Sequence, residues 1–149
     1  SSVVFFINEI LQHTLKDNEK HEGLFPFLSN ILEVLDLSDS IANFPIKFLY
    51  RYTKYLGFYP NEVPEARYLD LRECAYTKYQ PNHNSYLSEF KTHLLLAFST
   101  CDFDGINDPK IDLNTRRDLV YDLLKYYEEV IDNFKPVHSL GVLEATFHT

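Results

Sequence analysis

The sequence predicts a mostly α-helical domain, a six-helix, bundle-like unit with a small β-hairpin insertion. Three observations carry this. Apolar residues recur at the spacing of one helical face in segment after segment. Only four glycines occur in 149 residues, which argues against a loop-rich fold or a glycine-rich nucleotide-binding fold. One short stretch, residues 68–79, is rich in strand formers and partly alternates, with Leu69 and Leu71 opposed to Asp70 and Arg72.

Taken in order, the first helix is expected over residues 3–15. It is apolar on nearly all sides through Val3, Val4, Phe5, Phe6 and Ile7, so it asks for deep burial or an upstream neighbour. Residues 16–22 read as a charged loop. The second helix, 24–35, carries Leu24, Leu28, Ile31, Leu32 and Leu35 on one face, and Pro26 is tolerated only in its first turn. Residues 38–40 form the next turn. The third helix, 43–56, has Asn43 as N-cap, Pro45 early, and Gly57 at its stop with Pro60 beyond. A loop at 58–66, the hairpin and a turn at 80–85 follow.

The fourth helix, 88–99, is expected to turn Phe90, Leu94, Leu95 and Phe98 inward. An acidic loop, 101–113, leads to the cleanest amphipathic helix, 116–134, with Leu119, Val120, Leu123, Leu124, Tyr127, Val130, Ile131 and Phe134 on one face. Thr115 followed by Asp118 fits a capping box, which would put Arg116 and Arg117 in the first turn. Bare N–H groups and the positive end of the helix dipole lie there, so two cations need an external reason. Pro136 ends the helix. Ser139 starts a last short one with Leu140, Leu143 and Phe147 inward.

Composition bounds function. A chain of 149 residues is one domain, 1–149, able to bury about 70% of its unfolded surface. With 45% hydrophobic residues, 12 Phe and 11 Tyr, it has ample core material. Cys74 and Cys101 form no C-x-x-C, so neither a zinc site nor a disulfide framework is signalled, and both read as reduced thiols of a cytoplasmic protein. No run is long enough to span a bilayer, and the apolar opening lacks the marks of a signal peptide. The absence of methionine, even at position 1, leads us to expect a fragment or a processed chain. A net charge of −8 makes non-specific nucleic-acid binding by bulk electrostatics poor.

Two basic groups are candidate binding sites. Arg116 and Arg117 read either as an ion-pair network with carboxylates such as Asp112, Asp118 or Glu73, or as an anion site using arginine's forked donors. Lys47, Arg51 and Lys54, at i, i+4 and i+7, form one stripe of the third helix near Tyr50, Tyr55 and Tyr59. That stripe reads either as a solvated face, or as a contact for nucleic acid or an acidic tail.

The loop from Asp102 fails as a calcium loop, with Asn107 at the glycine position and Leu113 at the terminal glutamate position. The six histidines form no metal-binding pair, and His93 reads as a core-edge residue. No nucleophile motif or phosphate-cradling loop is present, and Glu128 and Glu129 face apart. No catalytic residue, metal or cofactor is expected.

Four blocks carry a resemblance: FINEILQHTL (6–15), FLYRYTKYLGFYPN (48–61), YLDLREC (68–74) and TRRDLVYDLLKYYEEVIDNFKPVHSLGVLEATF (115–147). In this order and spacing the chain resembles the C-terminal helical domain of the RecO family of bacterial DNA repair proteins, in its Bacteroidetes form. The resemblance implies an OB-fold upstream of residue 1. It also implies a non-enzymatic recombination mediator that binds single- and double-stranded DNA, mainly through that OB-fold, and anneals strands. Such a mediator engages the acidic tail of single-stranded DNA-binding protein and helps RecR load RecA. It would be cytoplasmic and nucleoid-associated, without a membrane partner. A helical protein–protein docking module without DNA contact is the alternative.

Many members carry a four-cysteine zinc element. Only Cys74 stands in that region here, so zinc is expected to be absent and the hairpin to hold by packing. Cys74 also replaces an expected glycine, and His138 an expected lysine. Lys47, Arg51, Lys54, Arg116 and Arg117 are the residues expected to meet a partner.

Overall fold

The computed structural model describes residues 1–16, 19–38 and 40–148. Asp17 and Asn18 of the expected loop, and Asp39 of the expected turn, lie outside the described residues. Six α-helices and three short strands are present among the described residues: α1 (Ser2–Thr14), α2 (Leu24–Leu37), α3 (Phe44–Leu56), β1 (Tyr68–Asp70), β2 (Ala75–Thr77), β3 (Tyr86–Leu87), α4 (Glu89–Ser99), α5 (Leu113–Val130) and α6 (Leu140–Leu143). A 3₁₀ turn, Glu144–His148, follows α6.

Helix α3 is the axis of the fold. Ile46, Phe48, Leu49, Tyr50 and Tyr52 are each at most 1% exposed, so it is buried nearly all round. Such a helix needs its polar groups satisfied by its neighbours. Tyrosines do this: the Tyr127 hydroxyl of α5 donates to the Leu49 carbonyl at 2.7 Å. Tyr52 shares a 2.7 Å hydroxyl contact with Thr14 of α1, and Tyr50 a 2.6 Å one with Tyr76 of β2. Tyr126 donates to the Phe58 carbonyl just past the Gly57 stop. Gly57 has φ 93°, the left-handed cap that ends a helix most cheaply in glycine.

Several elements differ from expectation. The insertion is a three-stranded antiparallel sheet, order β2-β1-β3, rather than a hairpin alone. Leu69 pairs with Tyr76 on one side and Leu87 on the other. Cys74, in the β1–β2 turn, has φ 53°. The turn thus asks for the left-handed conformation that glycine adopts freely, and cysteine fills it under strain of roughly 1–2 kcal/mol. Asp70 ties this turn: its Oδ1 accepts the Arg72 and Glu73 N–H groups at 2.9 and 3.0 Å, and its Oδ2 meets His83 Nε2 at 3.1 Å.

Phe5 is 70% exposed, so α1 is not covered on all sides. In α2, Leu32 is exposed, while Phe27 and Val34 join Leu24, Ile31 and Leu35 toward the interior. In α4, Phe90 is 62% exposed and His93 is exposed rather than at the core edge; Thr92 takes the inward position. There it bonds the Leu69 N–H and the Leu87 carbonyl, seating the sheet on α4.

Helix α5 starts one turn earlier than the capping-box reading. Asp112 is the N-cap, and its Oδ1 accepts the Thr115 N–H at 2.8 Å. These hydrogen bonds from Thr115 hold the Asp112 carboxyl below its ordinary range. Arg116 and Arg117 therefore fall in the second turn, where the Arg116 N–H is already bonded to the Asp112 carbonyl at 3.0 Å. The helix ends at Val130, and Ile131 and Phe134 pack on the core from beyond it.

Candidate functional site

The five basic residues singled out above are held in three different ways. Lys47 points into the protein. Its side chain is 1% exposed, and Nζ donates to Asp108 at 2.8 and 3.0 Å and to the Asp102 carbonyl at 2.9 Å. Asn43 joins the same carboxylate, Nδ2 to Oδ2 at 3.1 Å. Its Oδ1 then accepts Arg116 Nε at 2.7 Å. Arg116 also donates to the carbonyls of Phe147 and, at 3.5 Å, Ile111. Lys47 and Arg116, 69 positions apart by their numbers, thus belong to one network running Lys47–Asp108–Asn43–Arg116. It ties the start of α3, the 101–112 loop, α5 and the C-terminal turn. Burial pulls the Arg116 guanidinium below its ordinary value, and Asp108 and Asp112 pull it back. The partners of Arg116 are an amide and carbonyls, not the expected ion-paired carboxylates.

Arg117 stands apart. Its only side-chain bond among the described residues is a long one, 3.5 Å to Asn114 Oδ1, and its Nε is buried without a hydrogen-bond partner.

Arg51 is half-buried and closes the C-terminal end of α4. Nη2 donates to the carbonyls of Phe98 at 3.1 Å, Ser99 at 3.3 Å, and Cys101. Those are the carbonyls a helix end leaves unpaired. Its guanidinium lies 4.8 Å from the Phe103 ring centroid. Burial lowers its pKa, against the opposing pull of Tyr59 and Asp102. Lys54 is exposed, and its Nζ lies 5.0 Å over the Tyr59 ring.

Arg51 and Lys54 meet in a cleft of about 410 Å³ between α2 and α3. Phe27, Ile31 and Val34 of α2 form one wall, Tyr55 of α3 and Phe103 the other, with Asp102 and Asp104 at the rim. Phe27 stacks on Tyr55 at 4.7 Å and meets Phe103 edge-on at 6.0 Å, which fixes the walls. The cleft therefore offers aromatic surface beside two cations, partly balanced by two carboxylates. It can take an apolar side chain and, next to it, an anionic group. The walls from α2 and Phe103 were not among the sequence candidates. The available signal was that α2 carries more apolar positions than one core-facing stripe requires.

A larger, more open hollow of about 640 Å³ lies between α1 and the C-terminal segment. It is lined by Phe5, Asn8, Glu9, Gln12, His138, Ser139 and Val142, with no Lys or Arg. Glu9 crosses its floor, accepting the backbone N–H groups of His138 and Ser139 at 2.7 and 2.9 Å. Burial acts to raise the Glu9 carboxyl, but these bonds outweigh it and hold the group below its ordinary range. Size favours this hollow, but chemistry favours the α2–α3 cleft, where cations and aromatics converge.

Both cysteines are free. Among the described residues, no three His, Cys, Asp or Glu side chains are grouped to hold a metal, and no helix is long and apolar enough to cross a membrane.

Comparison with known proteins supplies the lineage. A family profile described as Recombination protein O C terminal matches residues 1–140. The DNA repair protein RecO of Flavobacterium psychrophilum is 36% identical over 148 residues, covering 99% of this chain and 61% of the relative. That of Flavobacterium johnsoniae is 35% identical over 150 residues, with 99% and 61% covered. That of Christiangramia forsetii is 34% identical over 148 residues, with 98% and 61% covered. The chain spans about three fifths of the length of these curated relatives. No solved structure matches it. With the family profile running over nearly its whole length, the chain belongs to the Recombination protein O C-terminal family.

Proposed function

We propose that this chain is the helical docking part of a non-enzymatic recombination mediator in DNA repair. In this reading an OB-fold upstream of residue 1 makes most of the contact with single- and double-stranded DNA and anneals strands. The helical part supports it, receives the acidic tail of single-stranded DNA-binding protein, and helps RecR load RecA. The setting is the cytoplasm, at the nucleoid. The relatives that carry the name DNA repair protein RecO support the role.

The observation that carries the docking part is the α2–α3 cleft. An acidic peptide with an aromatic tip would seat its ring against Phe27, Tyr55 and Phe103 and its carboxylates beside Lys54 and the outer edge of Arg51. Arg117, with its unpartnered buried Nε, remains a secondary candidate. Lys47 and Arg116 serve the architecture, since their donors are engaged inside the protein.

Calorimetric titration with such a peptide tests this. Lys54→Glu removes an exposed cation and is expected to weaken binding about tenfold, the scale of one charge-assisted contact. Unchanged affinity in a folded Lys54→Glu chain sinks the assignment. Arg51→Glu is a poorer probe, because it also uncaps α4.

The net charge of −8 favours a second reading, a docking module that touches no DNA. A salt-dependent DNA titration of the full-length protein separates the two: absence of binding at every ionic strength selects the second.

A further inference from the structure

Phe5 and Val142 are 70% and 62% exposed, and they line the two walls of one hollow, Phe5 on α1 and Val142 on α6. Apolar side chains exposed singly need no explanation, but two that converge on a hollow of about 640 Å³ do. Phe5, Asn8, Glu9 and Gln12 fall at i, i+3, i+4 and i+7, so α1 turns one stripe into the hollow. Asn8 and Gln12 are exposed, and among the described residues their side-chain amides have no hydrogen-bond partner.

Charge decides what the hollow admits. Neither α1 nor residues 136–148 supply a lysine or arginine, and the charge on the floor is the Glu9 carboxylate. The Glu9 side chain is 14% exposed, and its bonds to the His138 and Ser139 N–H groups keep it ionised at neutral pH. A carboxylate oxygen accepts two bonds, so one backbone N–H on each does not saturate it. His13 Nε2, 3.9 Å from Oε2, offsets the charge only when protonated. An anionic occupant is repelled here, and a neutral one leaves the carboxylate desolvated without compensation. A second copy of the chain would bring the same cation-free walls and another net charge of −8.

We infer that this hollow docks a basic segment of a partner protein. An apolar side chain of that segment seats between Phe5 and Val142, and a flanking lysine or arginine turns to Glu9 and to the amide oxygens of Asn8 and Gln12. The apolar anchor supplies most of the affinity, and the cation supplies the selectivity. The net charge of −8 draws such a segment in from solution, more weakly as salt is added. The chain then carries two docking sites of opposite preference. The α2–α3 cleft takes an acidic peptide beside Lys54 and Arg51, and the α1–α6 hollow takes a basic one.

The test is an amide NMR titration of the full-length protein and of the 149-residue chain. The probe is a short peptide of two leucines flanked on each side by two lysines. It is expected to bind both proteins and to shift residues of α1 and of the 138–143 segment. The same peptide with glycine for leucine, or with glutamate for lysine, is expected to bind about tenfold more weakly or worse. Phe5→Ala, at an exposed position, is expected to weaken the probe about tenfold. Asn8→Lys is expected to weaken it about threefold, and Asn8→Asp to tighten it by a similar factor. Lys54→Glu is expected to leave the shifted residues unchanged, so a failure in the cleft and a failure in the hollow are read separately. The inference is overturned if the shifts scatter over the acidic surface, if the glycine peptide binds as well, or if Phe5→Ala and Asn8→Lys both bind like the parent. Binding by the 149-residue chain but not by the full-length protein would give the hollow to the upstream part instead. A dimer in sedimentation that Phe5→Ala dissolves would give it to a second copy, and either result overturns the inference.

Discussion

The two ends of α3 carry the same kind of charge and use it in opposite ways. At its first turns Lys47 is sealed inside, bonded to Asp108 and linked through Asn43 to Arg116. At its last turn Lys54 stands in solvent with only an aromatic ring beneath it. Arg51, between them, is shared: one amino group closes α4 while the side chain lines the cleft. The difference teaches that helical spacing alone does not decide whether a cation is architecture or interface. What decides it is whether another part of the chain delivers a carboxylate, and the 101–112 loop delivers Asp108 only to Lys47.

Substitutions along α3 break this comparison most directly. Lys47→Ala strands Asp108 in the interior and is expected to cost about 3–5 kcal/mol of stability, read from denaturant unfolding. A loss under 1 kcal/mol would mean that the network is not what joins the loop to α3. Arg116→Ala removes charge-assisted bonds to Asn43 and two carbonyls, with an expected loss of about 1.5–3 kcal/mol. Together with Lys47→Ala it should be strongly non-additive, because both act through Asn43 and Asp108. Lys54→Ala is expected to change stability by no more than about 0.5 kcal/mol, as an exposed position does. A large destabilisation there would move Lys54 to the architectural side.

Acidity offers a measurement outside α3. The folded Glu9 carboxyl is held low, so its stabilising share is fully present above the ordinary carboxylate pKa and is lost as pH falls through the folded value. Glu9→Gln should therefore flatten the acid limb of a stability-against-pH curve and leave the alkaline limb alone. The alkaline limb belongs to the tyrosines. Burial raises Tyr52 to about 12 and pushes Tyr50, Tyr76, Tyr126 and Tyr127 upward as well. Stability present below pH 10 should thus be lost as pH climbs above it, and circular dichroism across that range should show cooperative unfolding.

Much of the fold was legible because its signals are local. The apolar period found all six helices, and Gly57 marked a real end, whereas α5 stops at Val130, short of the expected Phe134 and Pro136. The glycine expected at position 74 pointed to a backbone that is in fact left-handed there. Strand β3 was not legible, because two residues, Tyr86 and Leu87, are too few to show a period. The start of α5 was misplaced because Asp112 and Thr115 both look like caps, and only the fold decides between them. The cleft was half legible. Arg51 and Lys54 share a helix, but Phe103 arrives from a loop about 50 positions on, and α2's wall from about 20 before. Lys47 was misread as a surface candidate for the same reason, since its partner lies 61 positions away.

The Glu9 clasp also bears on the order of events in folding. Helix α6 is four residues long, and Ser139 makes no side-chain cap for it. So short a helix cannot pass its own nucleation barrier. The backbone N–H groups of His138 and Ser139, which lead into it, are held by a carboxylate that lies about 130 positions earlier in the chain. The C-terminal turn is therefore expected to become helical late, once α1 is seated, in a step that closes a loop of about 130 residues.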